Sequence, residues 1–188
     1  MPFDWLKLED TCMLRKYGCH VPFMLVLCIW TAPVFAGQFN VTSPAFRDGE
    51  AIPRKYTCDG KDISPAIQLA SVPAGTKSLA LISDDPDAPG GTWVHWVLFN
   101  LPADTTTIEA NIPAKADLSN GAKHGRNSWG KAAYGGPCPP DGTHRYFFKV
   151  YALDTMLPLK KGASIRNLEK AMKGHIMATG QIMGTYSR

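Results

Sequence analysis

Ser78-Leu79-Ala80-Leu81-Ile82-Ser83 and, one acidic turn later, Trp93-Val94-His95-Trp96-Val97-Leu98-Phe99-Asn100 decide the fold. Both are short apolar runs bounded by turn residues, the pattern of buried strands rather than of a long helix. Working outward, Phe39-Asn40-Val41-Thr42, Ala66-Ile67-Gln68-Leu69 and Tyr146 to Leu153 repeat the pattern, and Gln181 to Tyr186 reads as a last strand. The one convincing helix starts at Ser164, a suitable N-cap, carries Ile165, Leu168, Met172 and Ile176 near helical spacing, and stops at Gly180. Seventeen Gly and fifteen Pro, scattered without a period through 188 residues, argue against bundles and coiled coils. No repeat or composition break divides residues 37–188, so they read as a single mainly β domain, a sandwich or Greek-key barrel.

The N-terminal end is set aside from the fold. The apolar stretch from Val21 to Phe35 follows Arg15-Lys16 and ends in Val34-Phe35-Ala36, a signal-peptide layout with cleavage expected after Ala36. That run of about 15 residues contains Pro22 and Pro33 and falls short of the roughly 20 that a spanning helix needs, so no stable anchor is expected after cleavage. Asp4, Glu9 and Asp10 are foreign to such a leader, and Met13 reads as the better start. The sequence therefore divides into a leader, 1–36, and a domain, 37–188, with a periplasmic or secreted destination. Of five cysteines only Cys58 and Cys138 follow the leader, and an even pair in an exported chain reads as one disulfide, the alternative being two unrelated thiols. Removing the leader leaves 17 basic and 13 acidic residues and a net charge of +4. No Lys/Arg run exceeds two residues, so neither nucleic acid nor an anionic membrane is indicated as a partner.

Three segments concentrate polar groups beside Gly and Pro. In Asp84-Asp85-Pro86-Asp87-Ala88-Pro89-Gly90-Gly91 three carboxylates repel one another, so at least one is expected to accept from backbone N–H groups or a cation. The bland alternative is an acidic surface turn. In Trp93-Val94-His95-Trp96, strand alternation puts Trp93 and His95 on one face and Val94 and Trp96 on the other, with His95 a packing residue in the alternative reading. Tyr134-Gly135-Gly136-Pro137-Cys138-Pro139-Pro140-Asp141-Gly142-Thr143-His144-Arg145-Tyr146 is a rigid loop delivering His144 and Tyr146 to one face of a strand. Glycines let backbone N–H groups approach an anion while prolines fix the loop, although a plain hairpin loop has the same composition.

Together these segments resemble the phosphatidylethanolamine-binding protein (PEBP) family, most closely its bacterial Raf kinase inhibitor-like, YbhB/YbcL-type branch. The resemblance rests on Asp85-Pro86-Asp87-Ala88-Pro89, Trp93-Val94-His95-Trp96 with Asn100-Leu101-Pro102, and Gly135-Gly136-Pro137-Cys138-Pro139-Pro140 with His144-Arg145-Tyr146, and runs from about Phe39 to Tyr186. It implies a PEBP-like β-sandwich with a few peripheral helices and a shallow pocket for phosphate or the phosphorylated head group of a lipid or small molecule. By position, Asp85, His95, His144 and Tyr146 match the family's ligand-binding residues, while Asp87, Gly136, Pro139 and Arg145 line or brace the mouth. Only Ser187-Arg188 follow Tyr186, so the C-terminal helix of eukaryotic members has no counterpart here.

Physical chemistry gives the same residues a coherent task. Two imidazoles, a phenol and loop N–H groups hydrogen-bond phosphate oxygens, and Asp85 is placed to hold one imidazole's tautomer. Recognition without catalysis, cofactor or metal is the expectation. Two alternatives stand beside it: a protein-interaction module inhibiting a kinase or protease, and a hydrolase built on the Asp/His groups. No His-Glu-x-x-His, Gly-x-Ser-x-Gly or Gly-x-x-x-x-Gly-Lys pattern supports the hydrolase.

Overall fold

The computed structural model describes residues 39–115 and 117–188. The leader read into residues 1–36 lies outside them. The described chain forms eight strands, β1 Asn40–Thr42, β2 Ile67–Ala70, β3 Ser78–Asp85, β4 Trp93–Pro102, β5 Thr107–Ile108, β6 Lys123–His124, β7 Thr143–Leu153 and β8 Ile176–Ser187. One α-helix, α1 Ile165–Met172, and a 3-10 turn at Arg54–Tyr56 complete the elements. Two antiparallel sheets result, β1-β2-β5 and β6-β4-β3-β7-β8. Among the described residues no helix is long and apolar enough to cross a membrane.

The larger sheet is covered on both faces, which explains why all eight residues of β3 are buried and why its sequence does not alternate. Leu79, Leu81, Trp96, Leu98, Phe148 and Val150 face Val41, Ile67, Leu69 and Ile108 of the smaller sheet. On the opposite face Ala80, Ile82, Val97 and Phe99 pack with Leu157 and with Leu168 and Met172 of α1. The mainly β sandwich expected from the sequence is therefore the observed architecture. Ser164 caps α1 as read, its Oγ accepting from Asn167 N at 3.3 Å.

The helix is shorter than expected. It ends at Met172, Gly174 takes φ +84°, and Ile176 opens β8 by pairing with Leu153. Ile176 matched the helical spacing, yet it is exposed and belongs to the ladder. Strand alternation is also overturned in β4. Ser83 pairs with Trp96 but Asp84 with Val94, so His95 is an extra residue, a β-bulge. Val94 accordingly packs toward α1 with Val97 and Phe99, whereas Trp96 joins Leu98 between the sheets, and the two do not share a face. A second irregularity falls at Asn100, which takes φ +56° between the Leu79–Leu101 and Leu81–Leu98 pairs. Its buried amide donates to Leu157 O at 3.0 Å and accepts from Leu157 N at 2.8 Å, doing for that loop what a neighbouring strand would do.

Candidate functional site

The end of β3 and the beginnings of β4 and β7 lie at one end of the larger sheet, and each carries site residues in adjacent register: Asp85 pairs with Trp93, and Asp84 with Phe147. His144 and Tyr146 occupy alternate, inward positions of β7 and are buried, as their spacing implies. The bulge turns His95 to the same side, where its ring stands edge-on to Tyr146 with centroids 5.2 Å apart. A cavity of about 280 Å³ opens here, bounded by Asp85, His95, His144, Trp93, Trp129 and the Pro140 end of the Gly/Pro loop.

All three carboxylates of the acidic turn find the partners that their mutual repulsion demands. Asp84 takes Lys149 Nζ at 2.9 Å on Oδ1. Asp85, 3% exposed, accepts from Asp87 N at 2.8 Å through Oδ1 and lies 2.8 Å from His144 Nδ1 through Oδ2. Asp87 receives three bonds from Arg145: backbone N and Nε on Oδ2, both 2.9 Å, and Nη2 on Oδ1 at 2.7 Å. The Arg145 guanidinium holds the Asp87 carboxyl down at about 2. That fork-on-carboxylate pair ties the acidic turn to β7 and keeps the Arg145 charge engaged outside the cavity.

Both histidines are oriented through Nδ1. His95 Nδ1 lies 2.8 Å from the Gly135 carbonyl, which only accepts, so Nδ1 carries the proton. His144 Nδ1–H faces Asp85 in the same manner. Nε2 of each ring is left without a partner inside the described chain. Burial pushes the His95 pKa down, opposed in part by the Gly135 carbonyl and the Asp85 carboxylate, so the site favours the neutral ring. Tyr146 Oη is buried with no hydrogen-bond partner, and burial, with Asp85 nearby, pushes its pKa well up. A buried hydroxyl left unpaired costs about 1–3 kcal/mol; Tyr146 stands behind His95 and does not itself line the cavity.

Loop 134–140 is fastened to the segment before β2. Cys58 and Cys138 are disulfide-bonded with Cα atoms 5.5 Å apart, Cys58 N donates to Pro137 O at 3.1 Å, and Tyr134 Oη donates to Tyr56 O at 2.8 Å. Gly136 is required there, because a Cβ would sit 2.4 Å from Tyr56 O. Of the residues expected at the mouth, Gly136 lines an adjoining cavity, Pro139 is buried and lines neither cavity, and Asp87 and Arg145 brace from outside. Sequence reasoning missed Trp129. Its ring lies edge-on to His95 at 5.0 Å and to Trp93 at 5.4 Å, with 43% and 36% of Trp129 and Trp93 exposed, forming an aromatic rim. The available signal was Asn127-Ser128-Trp129-Gly130-Lys131, in which buried Asn127 Oδ1 accepts from Trp129 N and Lys131 N at 3.1 and 2.9 Å. Among the described residues no group of three or more His, Cys, Asp or Glu is arranged to hold a metal ion.

Fold and site thus define a two-sheet antiparallel sandwich with a histidine-lined cavity at one end of its larger sheet. The family model for phosphatidylethanolamine-binding protein matches residues 42–187, and the chain belongs to that family. It is 50% identical over 149 residues to a UPF0098 protein of Methanothermobacter thermautotrophicus, covering 79% of this chain and 99% of that one. A UPF0098 protein of Aquifex aeolicus is 51% identical over 152 residues, covering 79% and 88%. The crystal structure of a PEBP homologue from Chlamydia trachomatis superposes with a TM-score of 0.75 at 40% identity, over 80% of this chain and 98% of that one. Escherichia coli YbcL, described as a member of the mammalian PEBP family, gives 0.74 at 36% identity, over 80% and 99%.

Proposed function

We propose that this protein is an exported, non-catalytic binding protein for phosphate or a phosphorylated head group, with His95 and His144 as the residues that meet the ligand, Tyr146 as the buried phenol behind His95 and Asp85 as the residue that orients His144. The observation that carries the reading is the set of unsatisfied groups: two imidazoles whose Nδ1 atoms are spent internally and whose Nε2 atoms are not, beside a buried phenol with no partner. Membership of a family named for a phospholipid supports the same choice. Asp85 acts on His144 rather than on the ligand, holding Nδ1–H so that Nε2 faces outward. Neutral His95 accepts at Nε2, and gains a second donor only when protonated.

Affinity for an anion therefore rises as pH falls from about 7.5 to 5.5, and burial of His95 shifts its share of that rise below the ordinary histidine value near 6.5. Calorimetric titration with O-phosphoethanolamine across that range checks this. An affinity that stays flat or declines over it removes His95 as a direct ligand.

A further inference from the structure

A second cavity, of about 200 Å³, lies against the first and shares Trp129 and Cys138 with it. Gly135 belongs to both settings: it lines the second cavity, and its carbonyl oxygen orients His95 in the first. A Cβ at 135 would stand 2.7 Å from the Trp129 ring, so a side chain there displaces the indole. The two cavities therefore meet at Trp129 and Cys138.

Two side chains of opposite charge line that second cavity, Lys131 and Asp62. Asp62 Oδ1 accepts from Gly136 N at 2.6 Å, which fixes the carboxylate and leaves Oδ2 unengaged. Lys131 stands on a turn pinned by buried Asn127, and its ammonium makes no ion pair among the described residues. Either charge alone would be ordinary surface. Both on braced backbone, in a cavity contiguous with an anion site, form a receptor for one cation and one anion on the same small group.

We propose that the second cavity takes the far end of a phosphate ester that terminates in an amino-acid zwitterion, its ammonium on Asp62 and its carboxylate on Lys131. The ligand class is then a phosphoserine-like ester, as a free monoester or as a lipid head group. This rests on the phosphate reading of the first cavity. Ethanolamine esters engage Asp62 alone, and inorganic phosphate engages neither charge.

The test is a titration of the full chain at pH 6.5 with inorganic phosphate, O-phosphoethanolamine, O-phospho-L-serine and sn-glycero-3-phospho-L-serine. O-phospho-L-serine is expected to bind about two- to fivefold more tightly than O-phosphoethanolamine, the increment of one partly screened charge contact. Lys131→Met abolishes that margin and leaves the affinity for inorganic phosphate unchanged. Equal binding of the two esters, or a margin that survives Lys131→Met, overturns the zwitterion subsite while the head-group reading stands. Failure of all four probes overturns both. Retention of the margin by the glycerol diester points to a lipid source, and its loss there with retention by the monoester points to a free metabolite, each supporting the subsite.

Discussion

Removing the Asp85 carboxylate tests the internal wiring of the site independently of any ligand. In Asp85→Ala two donors lose their acceptor at once: Asp87 N, 2.8 Å from Oδ1, and His144 Nδ1, 2.8 Å from Oδ2. The side chains of Asp85 and His144 are only 4% and 10% exposed, so water replaces the lost bonds poorly. Each unsatisfied donor costs about 1–3 kcal/mol, and partial hydration through the cavity brings the expected total to about 2–4 kcal/mol. For a domain of this size that corresponds to a fall in Tm of roughly 5–15 °C. Asp85→Asn keeps an oxygen for Asp87 N but presents an NH2 group to His144, which must then carry its proton on Nε2. The destabilisation should shrink to about 1 kcal/mol while the tautomer reverses. Urea unfolding measures the first effect and nitrogen-15 ring shifts of His144 the second. A loss below about 0.5 kcal/mol in Asp85→Ala, or an unchanged His144 tautomer in Asp85→Asn, would refute the reasoning.

Two further outcomes follow from the same geometry. Replacing Cys58 and Cys138 by serine opens a closure spanning 80 positions, and the chain-entropy treatment gives a loss of about 4–5 kcal/mol, read as a lower urea midpoint; a change under about 1 kcal/mol would mean that loop 134–140 is held by its hydrogen bonds alone. Stability is expected to fall on acidification through pH 6.5, because burial lowers the pKa of His95 and of fully buried His124, whose two ring nitrogens have no partner. Well above pH 6.5 both rings are neutral in either state and the full stability is present; as pH falls through 6.5 toward the folded values, the unfolded chain takes up protons that the folded one refuses. Urea midpoints at pH 8, 6.5 and 5.5 read the slope, and a midpoint that holds steady or rises on acidification contradicts it.

The residues that repeat were the residues that sequence could place. His144 and Tyr146 fall on one face of β7 because nothing interrupts its alternation up to Ala152, and the covered strand β3 declares itself by the unbroken apolar stretch Leu79–Ile82. His95 is different. One extra residue in β4 shifts the faces of everything before it, and no composition marks a bulge in Trp93-Val94-His95-Trp96. The end of α1 was hidden for a related reason: Ile176 sits at a helical spacing from Met172, and only the left-handed backbone of Gly174 breaks the series. Strands β5 and β6, of two residues each, are too short to carry any period. Trp129 arrives from a loop, where neither period applies, and its position depends on what buried Asn127 bonds to. Likewise the sequence leaves Arg145 either lining or bracing the mouth, and only the Asp87 carboxylate on its Nε and Nη2 makes it a brace.

The central claim is that His95 and His144 receive phosphate oxygens. An NMR titration of the protein with O-phosphoethanolamine, following all histidine ring signals, tests it most directly. Saturable shifts at His95 and His144, with buried His124 and outlying His175 unmoved, are the predicted result. Ring signals that stay unchanged at millimolar ligand, or that move equally at His95, His144, His124 and His175, would contradict it.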